Sequence, residues 1–399
     1  MSILYLLQFF AIGTLFPLWP LYYQGLGLSG KVVGLLLSVT PVLAILMPPL
    51  WGFLGDRFRL HLPLLLVTSI GAGVASLAVP YARGLALLFG AAALLAAFQS
   101  AWSPIADSIA LDVVHREGAQ YGRMRLWGSV GFAVASLAAG AAAGRWGLQV
   151  IFPLFALSSL ASALLVPGLP SPHYQGAAKD AAENGTAKEA AGTAAPGAAV
   201  APPRQAGWRQ LLGQPAFAWL LLANLFITGG FASNNYFFGL LYQQAGGGLQ
   251  GIGLAFLLFA LSEVPIMLGA QALVDRYGPS WVLFGAAILA GLRWFLYAMG
   301  LAPWQLLATF PLQGLTGGVF IAVGPVLVSR LAPSDLKATA LALFGVAGFG
   351  LGAIFTASVG GVILDQYGPG AIYTFLGGLA VLGTAALIMV TRLTGERTH

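Results

Sequence analysis

Residues 52–59 read GFLGDRFR, 140–147 read GAAAGRWG, 271–278 read QALVDRYG and 361–368 read GVILDQYG. These are four decayed copies of one pattern, Gly-x-x-x-Asp-x-x-Gly, whose fifth positions are Asp56, Gly144, Asp275 and Asp365. Successive fifth positions lie 88, 131 and 90 residues apart. The long middle interval contains residues 167–213, a stretch rich in Ala, Gly and Pro, and removing most of it evens out the spacing. Gly and Asp favour turns wherever they occur, which explains the copies but not their regular recurrence. The chain therefore reads as four similar units, with an insertion between the second and the third.

The sequence between the copies is apolar in runs of roughly 20 residues, the length that crosses a bilayer as a helix. Helices are expected near 3–23, 32–54, 62–80, 84–107, 122–143, 148–166, 216–241, 250–273, 280–299, 304–329, 337–360 and 370–391. The runs do not alternate polar with apolar, so a membrane β-barrel is excluded. The first run reads as a retained helix, because it lacks the basic start and cleavage site of a signal peptide. Each unit holds three helices, an odd number, so consecutive units must be inverted. Asp56 and Asp275 then lie on one side of the membrane, Gly144 and Asp365 on the other. The expected architecture is an all-α membrane protein of twelve transmembrane helices. Residues 1–166 form one six-helix bundle, 167–213 a flexible cytoplasmic linker with too few large apolar side chains to bury a core, and 214–399 a second bundle.

Composition supports this. Of 399 residues, 58% are hydrophobic and 8% charged, against about 25% charged in soluble proteins. The net charge of +6 is spread over single basic residues, which fits loops facing an anionic leaflet and not a nucleic-acid partner. With both termini inside, 14 of the 18 Lys and Arg fall in inner loops and the tail. Lys31, Arg83 and Arg145 fall in outer loops and Arg293 within a span. Without the four in the linker the ratio is still ten to three, so the positive-inside rule places both termini in the cytoplasm, with the chain in the cell's inner membrane. Cysteine is absent, which excludes thiol catalysis and disulfides. His61, His115, His173 and His399 are expected in loops or at a terminus, not as a ligand pair, so no metal and no cofactor are implied. The glycine run GVAGFGLG (345–352) lies in a span and lacks a following Lys-Ser/Thr, so it is no phosphate loop. An enzyme and an ATP-driven pump are both disfavoured.

GFLGDRFR resembles the signature between helices 2 and 3 of the major facilitator superfamily, with Phe58-Arg59 where a Gly usually precedes the final basic residues. YGRMRLWGSVGF (121–132) is similar to the start of helix 5 in lactose, phenylpropionate and nucleoside permeases. SNNYFFGLLYQQAG (233–246), FALSEV (259–264) and LRW (292–294) are similar to the second half of the phenylpropionate group. GSVGFAVASLAAG lacks the helix-5 proline of drug–proton antiporters. The resemblance implies two six-helix halves built of inverted triplets. It also implies a secondary transporter of a small organic solute (sugar, nucleoside or aromatic acid) working by alternating access with proton symport. An uncoupled facilitator, an exporter or a non-transporting receptor of the same fold are the alternatives. The partners are the solute, protons and lipid, and the chain acts as a monomer.

Charges inside spans are costly and mark function. Asp107 and Arg125 stand on helices 4 and 5, Glu263 and Arg293 on helices 8 and 9, giving one acid–base set in each half. Glu263 and Asp107 are the proton-coupling candidates, and Glu263 is deep, about 18 Å from the helix end. Arg125, Arg293, Gln313, Asn234, Asn235, Trp102 and Gln99 are the substrate-binding candidates, since amides bond hydroxyls and Trp stacks on rings. The same residues could instead be helix–helix glue. Gln8, Trp19 and Asn224 share the expected cavity helices 1, 4, 7 and 10. Asp56, Arg57, Asp275 and Arg276 are expected to clamp the inner mouth. In the resembling permeases, helix 10 carries titratable groups where this chain has Gln313 and Thr316, so coupling would rest on the two carboxylates.

Overall fold

The computed structural model describes residues 1–58, 60–117, 120–170 and 207–395. Among them, twelve helices are long and apolar enough to cross a membrane. They are α1 (Ser2–Gly25), α2 (Gly30–Phe58), α3 (His61–Tyr81), α4 (Leu85–Val114), α5 (Tyr121–Trp146) and α6 (Leu148–Gly168) in the first half. The second half holds α7 (Pro215–Gln244), α8 (Leu249–Tyr277), α9 (Pro279–Ala298), α10 (Pro303–Leu331), α11 (Lys337–Tyr367) and α12 (Pro369–Thr394). All twelve match the helices expected from sequence, but α2, α4, α8 and α11 run on by one or two turns. Asp56, Asp275 and Asp365 therefore sit in the last helical turn, not in a loop. The glycine that ends three of the four copies makes the exit: Gly147, Gly278 and Gly368 have φ of 87°, 78° and 79°, where a side chain would be strained.

Four helices are irregular. Helix α1 breaks between Leu15 and Trp19, at Pro17, and α10 between Thr309 and Pro311. Proline removes a backbone donor and clashes with the preceding turn. Helix α4 breaks between Gln99 and Trp102, and α11 contains a π-helical stretch, Val346–Gly352. Asn224 of α7 donates to the Phe344 carbonyl beside that stretch, at 2.7 Å. Three of the four expected cavity helices are thus discontinuous, which opens backbone polar groups where a transport site is built.

Within the first half α1 packs on α5 and α6, and α3 on α6 and α4; within the second α7 and α9 pack on α12, and α10 on α8 and α9. The halves meet along two seams, α2 with α11 and α5 with α8. Both seams close at the face opposite the termini. A methyl on Gly361 would lie 2.8 Å from the Gly34 Cα, and one on Gly140 would lie 3.0 Å from the Gly253 Cα. The α2–α11 seam is also polar. Ser38 and Ser358 hydroxyls are 2.9 Å apart, and the Asp365 carboxylate accepts from the backbone N–H groups of Gly30 and Lys31, the latter at 2.8 Å. Among the described residues, no hydrogen bond crosses the α5–α8 seam.

An aromatic cluster fills the middle of the molecule. Phe16 of α1 meets Tyr236 of α7 at 5.7 Å between ring centroids, and Phe132 of α5 meets Phe259 of α8 at 6.4 Å. Phe256 joins Phe310 at 5.3 Å. Towards the face that carries the termini, Asp56, Arg57, Asp275 and Arg276 are exposed.

Most of the segment read as a linker lies outside the described residues. Its last part forms a short helix, Gly207–Leu212, with Gly207 against the Leu336 side chain. His61, read as a loop residue, instead starts α3 and is buried, because its ring covers Gly55.

Candidate functional site

The first-half acid–base set forms. Helix α4 continues to Glu117, so Asp107 is about 15 Å from its end and is buried. Arg125 Nη1 donates to Asp107 Oδ1 at 3.1 Å and to Oδ2 at 3.4 Å. The guanidinium also lies 5.5 Å from the centre of the Phe9 ring. A third member was not read from sequence: the Tyr5 hydroxyl of α1 donates to Asp107 Oδ1 at 2.5 Å. A tyrosine in the first turns of an apolar helix gives no signal of its own. Only its placement one turn before Gln8, on the same helical face, could have drawn attention to it.

The second-half set does not form. Arg293 is 1% exposed and turns to α10 and its own helix. Its Nη2 donates to Gln313 Oε1, and Nη1 donates to the Tyr297 hydroxyl at 3.4 Å, while Nε is buried without a partner. Gln313 Nε2 donates in turn to Asn235 Oδ1 at 3.2 Å and to the Phe231 carbonyl at 3.4 Å. The result is a chain Arg293–Gln313–Asn235 with Asn235 half-exposed at its end. Glu263 is half-buried and, among the described residues, forms neither an ion pair nor a side-chain hydrogen bond. Its face of α8 explains this. Glu263 lies one turn from Phe259 and two from Phe256, so all three share a face, and those rings meet Phe132 and Phe16 of the other half. That shared face directs Glu263 towards the gap between halves, while its backbone packs beside Gly314 and Gly318 of α10. The same argument places Arg125, seven residues from Phe132, on the face of α5 that looks across that gap.

The remaining candidates divide. Asn234 is fully buried with both amide atoms unpartnered. Gln8 is buried with a free Nε2, and Gln99 is half-buried at the α4 break. Trp102 is buried and stacks on Phe155 of α6 at 5.7 Å. Trp19 packs on Tyr23 and Phe152, and Asn224 ties α7 to α11. Thr316 bonds back to the Leu312 carbonyl at 2.6 Å. Among the described residues, three of the clamp candidates have contacts within their own halves: Asp56 holds His61 at 3.2 Å, Asp275 accepts from Gln271 at 2.7 Å, and Arg276 lies over Tyr277 at 5.2 Å. Among the described residues no group of His, Asp and Glu could hold a metal ion.

Two six-helix halves that meet along two seams, with several of their helices broken, have the architecture of a membrane transporter of major facilitator type. Residues 1–375 match the MFS_1 like family, and the chain belongs to it. It is 38% identical over 395 residues to the maltose permease of Geobacillus stearothermophilus, covering 99% of this chain and 94% of that one. It is 26% identical over 308 residues to a probable 3-phenylpropionic acid transporter of Escherichia coli, covering 75% and 74%. Among solved structures, a variant of the nucleoside transporter NupG superposes with a TM-score of 0.83 at 16% identity, covering 98% of both chains.

Proposed function

We propose that this chain imports a neutral, hydroxyl-rich solute of the maltose class, together with a proton, by alternating access across the inner membrane. The solute binds between Asp107–Arg125 on one wall and Glu263 with Asn235 on the other. The observation that carries this reading is the unpaired Glu263 carboxylate facing the gap. A free carboxylate there repels an anion such as 3-phenylpropionate and accepts hydrogen bonds from hydroxyls, while the aromatic cluster above it offers apolar faces to a sugar ring. The relationship to a maltose permease across nearly the whole chain supports the same class.

The closed seams at one face and the exposed Asp56, Arg57, Asp275 and Arg276 at the other fit a state open towards the termini. Lysine and arginine placement makes that side the cytoplasm. In the opposite state those four residues clamp the inner mouth across the halves. Gln313 and Thr316 do not titrate, which favours Glu263 as the proton carrier and leaves an uncoupled facilitator as the second reading.

Thermal unfolding of the detergent-solubilised protein with maltose, a nucleoside or 3-phenylpropionate tests the solute class, since a ligand that binds only the folded state raises Tm. Maltose should stabilise. Stabilisation by 3-phenylpropionate without any by maltose would overturn the reading.

A further inference from the structure

Asp107 is held by Tyr5 of α1 and by Arg125 and Tyr121 of α5. The Tyr5 hydroxyl and Arg125 Nη1 both reach the same oxygen, Oδ1. Oδ2 receives the longer contact from Arg125, at 3.4 Å, and the Tyr121 hydroxyl of α5 also meets this carboxylate. Tyr5 is fully buried and Asp107 is 5% exposed, so neither is loosened by solvent. Three helices, α1, α4 and α5, converge on this one carboxylate. Helix α1 carries Tyr5 on a segment that ends at Leu15, and Phe16, at the break itself, enters the aromatic cluster between the halves.

We propose that Tyr5 is a positioning residue of the solute site. By taking one lone-pair direction of Oδ1, the phenol fixes the rotation of the Asp107 carboxylate. The carboxylate in turn holds the Arg125 guanidinium by a single nitrogen, Nη1. The guanidinium also meets the Tyr121 hydroxyl, and its remaining N–H groups stay directed past Asp107, towards the gap, where a sugar hydroxyl can accept from them. Without the phenol the carboxylate is free to turn and take Arg125 by both edges, the fork geometry the pair prefers, which withdraws those donors from solute. The inference rests on the reading of Asp107–Arg125 as part of the solute site. The group faced by Tyr5 is Asp107; the other charged or titratable groups around it are Arg125 and Tyr121, both on α5.

The test uses the full chain reconstituted in liposomes, with maltose counterflow as the readout. Tyr5→Phe keeps the ring and deletes the donor. KM should rise by about tenfold, the equivalent of one lost hydrogen bond to a charged group, with the rate at saturation changed by less than about twofold on the same scale. Asp107→Asn should also raise KM. The double variant should be no worse than Asp107→Asn alone, because the phenol acts only through that carboxylate. A phenol that merely glues helices would lower thermal stability or rate and leave KM unmoved, and that result overturns the proposal. So does a double variant whose KM is the product of the two single effects. If Asp107→Asn itself leaves KM unchanged, the reading of the solute site fails first and the role of Tyr5 falls with it. Should Tyr5→Phe reconstitute poorly, the rise in Tm produced by maltose in detergent gives the same comparison between the three variants.

Discussion

The two halves of this molecule repeat one architecture but treat their buried cations in opposite ways. In the first half Arg125 meets a carboxylate, and a phenol shares the same oxygen. In the second half Arg293 meets an amide and a phenol, and the carboxylate of that half stands apart in the gap between bundles. Neutralising a charge inside one bundle fixes it: separating Asp107 from Arg125 leaves an uncompensated ion in a low dielectric. A carboxylate with no cation beside it is free to gain or lose a proton as its surroundings change. In the proposed cycle the first half supplies a constant binding wall, and the second supplies the group whose charge follows the cycle.

That contrast can be broken experimentally. The largest effect is expected at the paired site. Arg125→Met leaves Asp107 buried without its cation and should cost about 3–5 kcal/mol of stability, read as a lower thermal unfolding temperature in detergent. Arg293→Met should cost less, about 1 kcal/mol, since it deletes a hydrogen bond to Gln313 but also relieves a guanidinium that has no counter-ion. Equal losses from the two variants would erase the distinction between the halves.

The seams give the next two effects. Gly361→Leu places a side chain against the backbone of Gly34 and should force the α2–α11 seam apart, costing about 1–3 kcal/mol by overpacking. Cysteine labelling of residues above the aromatic cluster should become accessible from the face opposite the termini. Asp365→Asn is milder: it removes the charge that caps the first turn of α2, a contribution of about 1 kcal/mol. It should shift the same labelling several-fold in the same direction. No shift in either variant would show that these contacts do not hold the closed face.

Much of the fold was legible before any coordinates. Apolar length gave the helix count, and the repeated Gly-x-x-x-Asp pattern gave the inverted units. Helix ends were read short because Asp56, Asp275 and Asp365 look like turn residues, whereas after Asp275 and Asp365 the turn is made three residues further on, by the positive-φ Gly278 and Gly368. The Asp107–Arg125 pair was legible because both belong to consecutive helices with their register fixed by the helix-5 motif. The proposed partnership of Glu263 with Arg293 was not, since sequence places a residue along a helix more easily than it tells which neighbour its face meets. Packing turns Arg293 towards Gln313 and Glu263 towards the other bundle. Tyr5 gave no sign, because its partner lies 102 residues away in the chain.

The central claim is that Glu263 carries the proton while Asp107–Arg125 stays paired. Glu263→Gln keeps the shape and removes the titration. In proteoliposomes loaded with buffer and exposed to an inward pH gradient, the wild-type chain should accumulate maltose above the external concentration. The variant should lose that accumulation yet retain maltose counterflow, which needs binding and alternation but no net proton movement. Accumulation by Glu263→Gln at the wild-type level would contradict the account.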